Sequence, residues 1–232
     1  MSVLYIIATP IGNLSDISQR ALDTLQRVDF ILCEDTRHTL QLLNYFNIKK
    51  PLIAYHQHSQ LQKTEQIISL LRDNKNLALV CDAGTPGIAD PGGKLVEEVI
   101  KALPHIEVVP IPGACALIAA LSISGFPTDK FLFLGFPPVK KGRKKFFDEV
   151  VLSKHTIVFY ESCYRILRTL KELDSLQACK EPSSFHSQMV VCRELTKKFE
   201  TIYRGTCEEV AKKIESDKVK GEFVVVVRSY EK

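Results

Sequence analysis

Short apolar runs alternate with segments of helical period through the first half of the chain. Strand-like runs separated by helix-like stretches are typical of a parallel β-sheet whose strands are joined by helices. In the stretch after the third run, Leu95, Val99 and Leu103 keep the spacing of one helical face. We therefore predict an α/β fold in which the helices pack on the sheet. The apolar runs are residues 3–8, 30–33, 77–81 and 108–111.

A change in composition at residues 125–129 separates the two halves of the chain. The segment Gly-Phe-Pro-Thr-Asp interrupts the helical pattern there, and residues 131–136 then have the composition of a new strand. We predict an N-terminal α/β domain of residues 1–125 and a C-terminal α/β domain of residues 126–232. The second half is more mixed, and residues 174–188 are predicted to form a loop. Its other strands are predicted at 156–160, 189–192, 199–203 and 223–227, and its helices near 143–152, 164–173 and 207–215.

Composition and charge exclude several classes of protein. Of the 232 residues, 45% are hydrophobic and 25% are charged, which is ordinary for a globular protein and excludes disordered and fibrous chains. The seven cysteines include no CxxC pair, so we expect no disulfide framework. Residues 3–8 are apolar but stop at Thr9 and Pro10, without the basic start of an export signal or the length of a membrane span. We therefore expect a cytoplasmic protein without a membrane partner.

Glycine, proline and polar side chains follow the ends of the predicted strands. Ligands of open α/β sheets bind beyond the carboxyl ends of the strands, where neighbouring loops separate. The loop at residues 82–91 has two glycines and two prolines directly after an apolar run, which favours close approach of the backbone to a ligand. The same residue types also cap helices and form turns, and Asp90 before Pro91 is a good helix start. A purely structural role therefore remains open for any single loop.

The charge of the 82–91 loop narrows the choice of ligand. No Lys or Arg occurs between residues 77 and 93, and the chain has neither a GxGxxG fingerprint nor a Walker A loop, so a phosphate ligand is disfavoured. An acidic, glycine-rich loop suits a neutral or cationic ligand instead. S-adenosylmethionine is compatible with this loop, because its sulfonium is cationic and backbone amides can bind its adenosine. The spacing alone indicates no more than compatibility.

Eight segments of the chain form a series of motifs, at residues 4–17, 33–38, 82–91, 111–116, 135–137, 159–162, 193–197 and 221–222. In this order they resemble the tetrapyrrole methylase superfamily of S-adenosylmethionine-dependent enzymes. Within it, the chain is similar to the family that methylates the 2′-oxygen of a cytidine ribose in 16S ribosomal RNA. Several long motifs in the right order are far more specific than any one of them.

This resemblance implies two α/β domains of the tetrapyrrole methylase type, with S-adenosylmethionine held in the cleft between them. It also implies a homodimeric methyltransferase acting on a cytidine in the decoding centre of 16S ribosomal RNA, within the small ribosomal subunit. Members of the family commonly carry a C-terminal extension, whereas this chain ends at Lys232. The residues that the resemblance assigns to the methyl donor are Pro10, Gly12, Asp82, Ala83, Gly84, Thr85, Pro86, Ile88, Ala89, Pro112, Gly113, Cys115, Ala116, Tyr160, Glu161, Glu194, Leu195 and Thr196.

Methylation of a ribose hydroxyl requires a group that removes the hydroxyl proton, because an alcohol is a weak nucleophile. The ionisable residues at motif positions that could face the acceptor are Glu34, Asp35 and Lys197. The two carboxylates rank first, since a carboxylate can accept a proton without a depressed pKa. The alternative is structural: Asp35 would cap the helix before Thr36 and Arg37, with Glu34 in a salt bridge at the same place.

The strongest local charge in the sequence lies in residues 140–145, where five of six side chains are basic. It begins one residue after Pro137 and Pro138, in a chain whose net charge is only +4. Such a run could hold an RNA phosphate backbone at the start of the second domain. Runs of charge are also common on solvated surfaces, and that interpretation remains open. The predicted RNA-binding residues are Arg37, Lys140, Lys141, Arg143, Lys144 and Lys145.

The sequence predicts no metal site. His56 and His58 lie close together in the sequence, but no nearby cysteine or carboxylate completes a usual ligand set.

Two other functions remain open. Within the superfamily, the acceptor could be a corrin-type tetrapyrrole or a modified protein histidine. From a different class, the chain could be a non-catalytic RNA-binding protein that kept the fold.

Overall fold

The chain folds into two compact units, Met1–Cys115 and Ala116–Lys232, in a computed structural model. Both units are α/β, as the sequence predicts. The division lies earlier than the boundary predicted between residues 125 and 126. No helix among the described residues is long and apolar enough to cross a membrane. The structure describes residues 2–56, 61–180, 188–217 and 219–228.

The first unit is built on a five-stranded sheet. Its strands are β1 (Val3–Ile7), β2 (Phe30–Cys33), β3 (Leu52–Ala54), β4 (Leu77–Leu79) and β5 (Glu107–Ile111). Their order is β3-β2-β4-β1-β5, and every neighbouring pair is parallel, which confirms the predicted parallel sheet. β3 was not among the strands predicted from the sequence.

Helices cover both faces of this sheet. Successive residues of a strand point to opposite faces. Ile7 accordingly packs in one cluster with Leu25, whereas Leu4 packs in another with Ile67 and Leu95. The first cluster includes residues of α1 and α2, and the second includes residues of α3 and α4. These helices are α1 (Gln19–Arg27), α2 (Thr36–Tyr45), α3 (Leu61–Arg72) and α4 (Gly92–Ala102).

The second unit contains a mixed five-stranded sheet. Its elements are α5 (Ala116–Ser124), β6 (Phe131–Phe133), α6 (Arg143–Leu152), β7 (Thr156–Ser162), α7 (Ile166–Lys180), β8 (Met189–Arg193), β9 (Thr201–Gly205), α8 (Cys207–Ser216) and β10 (Glu222–Val227). The strand order is β6-β7-β10-β8-β9. Only β6 and β7 are parallel, and the other pairs are antiparallel. Phe147, Leu170 and Val210 bring α6, α7 and α8 into one core with this sheet.

The position of α5 explains why the units divide before residue 116. This helix contacts β7, β8 and β10 of the second sheet. The Arg204 side chain on β9 also donates hydrogen bonds to the carbonyl oxygens of Ile123 and Ser124 at the end of α5. Composition changes only at residue 125, after the helix, so it could not reveal which sheet the helix packs against.

The predicted loop at residues 174–188 is partly helical. α7 continues to Lys180, beyond the helix predicted near residues 164–173. Leu176 extends the apolar spacing of Leu170 and Leu173 and packs against the same core. Residues 181–187 of the predicted loop lie outside the described residues.

Candidate functional site

The loops that follow β1, β4 and β5 are joined by hydrogen bonds at the carboxyl edge of the first sheet. The Thr9 amide donates to the Gly84 carbonyl oxygen (2.9 Å), and the Gly84 amide donates to the Thr9 oxygen (3.2 Å). The Thr9 hydroxyl also donates to the Cys81 carbonyl oxygen at 3.1 Å. The Thr85 hydroxyl donates to the Ala114 oxygen, again at 3.1 Å. Three loops from three parallel strands therefore form one connected surface within the first unit.

Two glycines allow close approach in this surface. Gly84 has φ +88°, and a Cβ there would lie 3.3 Å from the Ile11 side chain. A Cβ at Gly113 would lie 3.0 Å from the Ala8 Cβ. Larger residues would push the loops apart. The glycines therefore keep the three loops close enough to present their backbone groups together.

The donor residues predicted in the first unit lie in or beside these loops, and their exposure differs. Pro10, Gly84 and Pro86 are buried and support the backbone path, while Thr85 and Cys115 are half-buried. The exposed members are the ones that a ligand could contact directly. They are Gly12, Asp82, Ala83, Ile88, Ala89, Pro112 and Gly113.

Asp90 fixes the outer part of the 82–91 loop. One carboxylate oxygen, Oδ1, accepts hydrogen bonds from the backbone amides of Gly87 and Gly92, both at 2.7 Å. Ala89 between them has a left-handed φ of +63°, which costs energy for a residue with a side chain. The sequence predicts Asp90 mainly as the start of a helix. In the structure it also holds the turn closed, while α4 itself begins at Gly92.

Glu34 lies at the end of β2, beside the loop that follows β4, since these two strands are neighbours. Partial burial raises the pKa of its carboxyl, and the nearby charges of Asp90 and Asp82 raise it further, to about 7. Glu34 therefore exchanges a proton near neutral pH. A carboxyl with this property at a strand end is a strong candidate for a general base.

Asp35 has the opposite electrostatic environment. Its carboxylate accepts hydrogen bonds from the Arg37 amide (2.8 Å) and from the Arg37 guanidinium (2.7 and 3.1 Å). These bonds hold the pKa of the Asp35 carboxyl well below its usual range. Asp35 is thus the N-cap of α2 and a poor proton acceptor, which corrects its prediction as a base. The structure therefore has the alternative cap role. The salt bridge at this place joins Arg37 to Asp35 and does not involve Glu34.

Arg37, which the sequence predicts to bind RNA, is already engaged with Asp35. Its side chain nevertheless remains 88% exposed. Asp82 completes this corner, since its Oδ1 atom accepts a hydrogen bond from the Asp35 amide at 3.2 Å and lies 3.9 Å from Nδ1 of His38. The start of α2 is therefore tied to the loop after β4.

Lys197, the third predicted base, is held as a cation in the second unit. Its ammonium lies 2.9 Å from a carboxylate oxygen of Glu194 and 2.9 Å from one of Glu222. Burial works against the charge, but hydrogen bonds to these two carboxylates outweigh it and raise the pKa of Lys197. These two carboxylates favour the protonated lysine, so the structure does not support Lys197 as the base.

The turn after β8 presents a polar atom without a partner. Glu194 and Thr196 both have left-handed φ angles, +51° and +65°, which is unusual for residues with side chains. The Thr196 amide donates to Glu200 at 2.6 Å. Its hydroxyl oxygen is buried and has no hydrogen-bond partner among the described residues. A strained turn with an unsatisfied hydroxyl is suited to a bound ligand, and the donor contacts of Glu194, Leu195 and Thr196 stay a prediction.

Glu161 is buried in the second unit, with 1% of its surface exposed. One carboxylate oxygen accepts from the Ser162 amide (2.8 Å) and pairs with the Arg165 guanidinium (2.9 Å). The other accepts from the Thr169 hydroxyl at 2.7 Å. Both oxygens are thus engaged by the protein, which gives the Glu161 side chain a structural role, and the donor contact predicted for this residue stays a prediction. Of its predicted companions, Ala116 and Tyr160 are half-buried.

Arg143 does not lie on the surface with the rest of the basic run. It is 5% exposed, because α6 begins at this residue and turns it toward α7. Its guanidinium pairs with Glu172 (2.7 Å) and donates to Thr169 (2.8 Å) and to the Pro138 carbonyl oxygen (3.1 Å). The prediction that Arg143 binds RNA is therefore wrong. The remaining basic residues, Lys140, Lys141, Lys144 and Lys145, are exposed and are called the four surface lysines below.

Arg165, Thr169 and Glu172 were not identified from the sequence. Their spacing of four and three residues is that of one helix face, which would have placed them together. Nothing in the local sequence reveals that this face meets Arg143 and Glu161. Among the described residues, no group of three metal-binding side chains exists; His58 lies outside them.

The raised pKa of Glu34 has a consequence for stability. Between about pH 4.5 and 7 the folded protein binds more protons than the unfolded chain, so the free energy of unfolding falls as pH rises through this window. Glu34→Gln removes this penalty and should be more stable than the wild type at about pH 8, by about 1 kcal/mol after allowing for partial exposure. Urea unfolding at about pH 5 and pH 8 measures it.

Asp35→Asn is the control for this experiment. Arg37 lowers the pKa of Asp35, so that variant should lose stability at about pH 8 where Glu34→Gln gains it. Equal stabilities of Glu34→Gln and the wild type at both pH values would contradict the assignment.

Comparison with known proteins identifies the family of this chain. Residues 3–211 match the model of the family described as Tetrapyrrole (Corrin/Porphyrin) Methylases. The match covers far more than half of the chain. This protein therefore belongs to the tetrapyrrole methylase family.

Two relatives define its place within that family. The ribosomal RNA small subunit methyltransferase I of Synechocystis sp. is 44% identical over 228 residues, which cover 98% of this chain and 79% of the relative. The protein of the same name from Thermotoga maritima is 41% identical over 231 residues and is covered completely, as is this chain.

A solved structure shares the fold at low sequence identity. The uroporphyrin-III C-methyltransferase from Thermus thermophilus, complexed with S-adenosylhomocysteine, has a TM-score of 0.62 and 15% identity. The superposition covers 98% of this chain and 92% of that chain. At this identity the likeness supports the two α/β units and nothing finer.

Proposed function

We propose that this protein transfers the methyl group of S-adenosylmethionine to the ribose 2′-oxygen of a cytidine in the decoding centre of 16S ribosomal RNA. The observation that carries the proposal is the alignment, over nearly the whole chain, with relatives named ribosomal RNA small subunit methyltransferase I. The four surface lysines suit an anionic RNA. The titratable Glu34 carboxyl suits an acceptor hydroxyl that must lose a proton.

Each unit by itself offers groups that suit a methyl donor. The joined loops of the first unit offer exposed backbone at Ala83 and Pro112, without a basic side chain that would favour phosphate. In the second unit, the buried Thr196 hydroxyl has no hydrogen-bond partner among the described residues, and bound S-adenosylmethionine could supply one. When bound, S-adenosylmethionine supplies an electrophilic methyl carbon on a cationic sulfur, which keeps the electron pair of the broken bond.

Glu34 removes the proton of the acceptor hydroxyl in this mechanism. As a carboxylate it accepts that proton while the ribose oxygen forms its bond to the methyl carbon. The neighbouring charges of Asp82 and Asp90 make the carboxylate more basic than an isolated one. The same negative charges favour a cationic sulfur close by. One acidic corner of the first unit thus serves both reactants.

The four surface lysines hold the RNA backbone in this proposal. Replacing all four with glutamine should reduce the slope of log K against log salt by about 3, since each phosphate contact to single-stranded RNA contributes about 0.7. Fluorescence anisotropy with labelled RNA over a range of salt concentrations measures the slope. The matched control replaces four exposed lysines elsewhere, Lys94, Lys101, Lys212 and Lys213. An equal change in both variants would mean that only net charge matters.

The acceptor is tested in cells that lack this protein. Mass-spectrometric mapping of their 16S ribosomal RNA should find one ribose methyl missing from a cytidine of the decoding centre. Complementation with the wild-type chain should restore it. A complete methylation pattern in the deleted strain would refute the acceptor, and leave the open choice of a tetrapyrrole or a modified protein residue for the same donor site.

Binding and methyl-transfer assays with purified protein separate a catalyst from a non-catalytic RNA-binding relative. Protein that binds RNA but neither binds S-adenosylmethionine nor transfers its methyl group would be the latter. Comparing assembled small subunits with protein-free 16S RNA identifies the substrate form.

We further propose that the protein is a homodimer in the cytoplasm. Sedimentation of the purified protein tests the dimer, and cell fractionation tests the location.

A further inference from the structure

The carboxyl ends of β6 and β7 carry two loops that lie side by side. These strands are parallel neighbours, with Phe131 opposite Thr156, so the loops that follow them leave the same edge of the second sheet. The Arg165 guanidinium joins the loops by donating to the Pro137 carbonyl oxygen at 2.9 Å. Arg165 directly follows Tyr164, and Pro137 directly follows Phe136. The two aromatic residues therefore lie on neighbouring loops at one edge of the sheet.

Both aromatic side chains are exposed, although the loops that carry them are firmly held. Tyr164 is 93% exposed and Phe136 is 52% exposed, its ring packed at 5.4 Å from that of Tyr160. The Pro138 carbonyl oxygen of the same loop accepts a hydrogen bond from buried Arg143. Because two arginines fix the backbone of the Phe136 loop, binding there costs little further backbone entropy.

Cations flank the two rings. Lys140 and Lys141 continue the Phe136 loop and are exposed, as is Val139 between them and the ring. The aromatic–lysine surface is defined as Phe136, Val139, Lys140, Lys141 and Tyr164. Rings that accept stacked bases, beside cations that contact phosphates, are the combination by which proteins bind single-stranded nucleic acid.

We propose that the aromatic–lysine surface binds a single-stranded segment of RNA, with unpaired bases stacked on Tyr164 and Phe136 and phosphates against Lys140 and Lys141. A duplex would keep its base faces stacked and inaccessible to the rings. A second copy of the chain would bring like charges together, because a two-fold contact places the same lysines on both sides. The inference rests on the proposed function for the identity of the RNA.

Binding is tested by fluorescence anisotropy with a labelled single-stranded oligouridine and with a duplex of equal length. Tyr164→Ala should weaken single-strand binding by about tenfold, and the Phe136→Ala/Tyr164→Ala double variant should weaken it further. The salt slope should stay unchanged in both, whereas Lys140→Gln/Lys141→Gln should reduce it by about 1.4. Tyr45→Ala, which removes an exposed aromatic ring from α2, is the control and should bind like the wild type.

Three outcomes overturn the inference. The first is that Tyr164→Ala binds the single strand as tightly as the wild type does. The second is that the wild type binds the duplex as tightly as the single strand. The third is that Tyr164→Ala sediments as a smaller species than the wild type, which would mean that the rings hold a second copy of the chain. Tyr164 is so exposed that its replacement cannot unfold the chain, so the test holds even if Phe136→Ala is unstable. Methyl transfer is measured separately. Ring-dependent binding without methylation of 16S RNA would refute the proposed function alone, and methylation with ring-independent binding would refute this inference alone.

Discussion

Glu34→Gln is expected to lower the rate of methyl transfer by about 10²- to 10⁴-fold, the usual contribution of a general base. The amide has nearly the shape of the carboxyl but cannot accept a proton. Binding of S-adenosylmethionine should change little, so calorimetric titration with the donor provides the test of an intact site. Single-turnover methylation of small subunits, with donor in excess, measures the chemical step without product release.

The pH dependence gives a second measurement of the same residue. The base must be ionised, and its pKa is about 7, so the wild-type rate should rise with pH up to about 7 and then level off. Glu34→Gln should lose this rise. Asp35→Asn is the matched control, because Asp35 is engaged with Arg37 and its loss should affect mainly the start of α2. If Glu34→Gln kept a near-normal rate with the wild-type pH profile, Glu34 would not be the base.

Arg143→Ala should lower the free energy of unfolding of the second unit by about 3 kcal/mol. Losing one partner of a buried ion pair commonly costs about 3–5 kcal/mol. We take the lower end, because Glu172 keeps 31% of its side chain exposed and keeps its ion pair with Arg168 at 2.7 Å. The Thr169 hydroxyl and the Pro138 carbonyl oxygen would also lose a hydrogen-bond partner. Urea unfolding monitored by circular dichroism measures the difference.

Lys144→Ala is the control for Arg143→Ala, since it removes the next basic side chain from the same helix. Lys144 is exposed, and surface changes of this kind usually stay within about 0.5 kcal/mol. Arg143→Lys should recover only part of the loss, because an ammonium cannot reproduce the fixed fork of the guanidinium. Equal stability of Arg143→Ala and Lys144→Ala would show that the buried network contributes little.

The parallel sheet of the first unit could be predicted because its signal is local. A strand buried on both faces needs a continuous apolar run, and Leu77–Leu79 is recognisable without knowing its neighbours. The unusual backbone of the 82–91 loop was recognisable for the same reason, since its glycines and prolines restrict the backbone at their own positions. α5 was assigned to the wrong half because its packing partners lie far along the chain, in β8 and β10.

The sequence by itself determined that the 82–91 loop follows an apolar strand, that it carries no basic residue, and that two carboxylates stand side by side at residues 34 and 35. Only the tertiary structure decided that Glu34 has a raised pKa, and that Arg143 is buried while Lys144 is exposed. The physical reason is the same in both cases. Desolvation and ion pairing depend on groups brought close by folding, and adjacent residues of one chemical type can face entirely different neighbours.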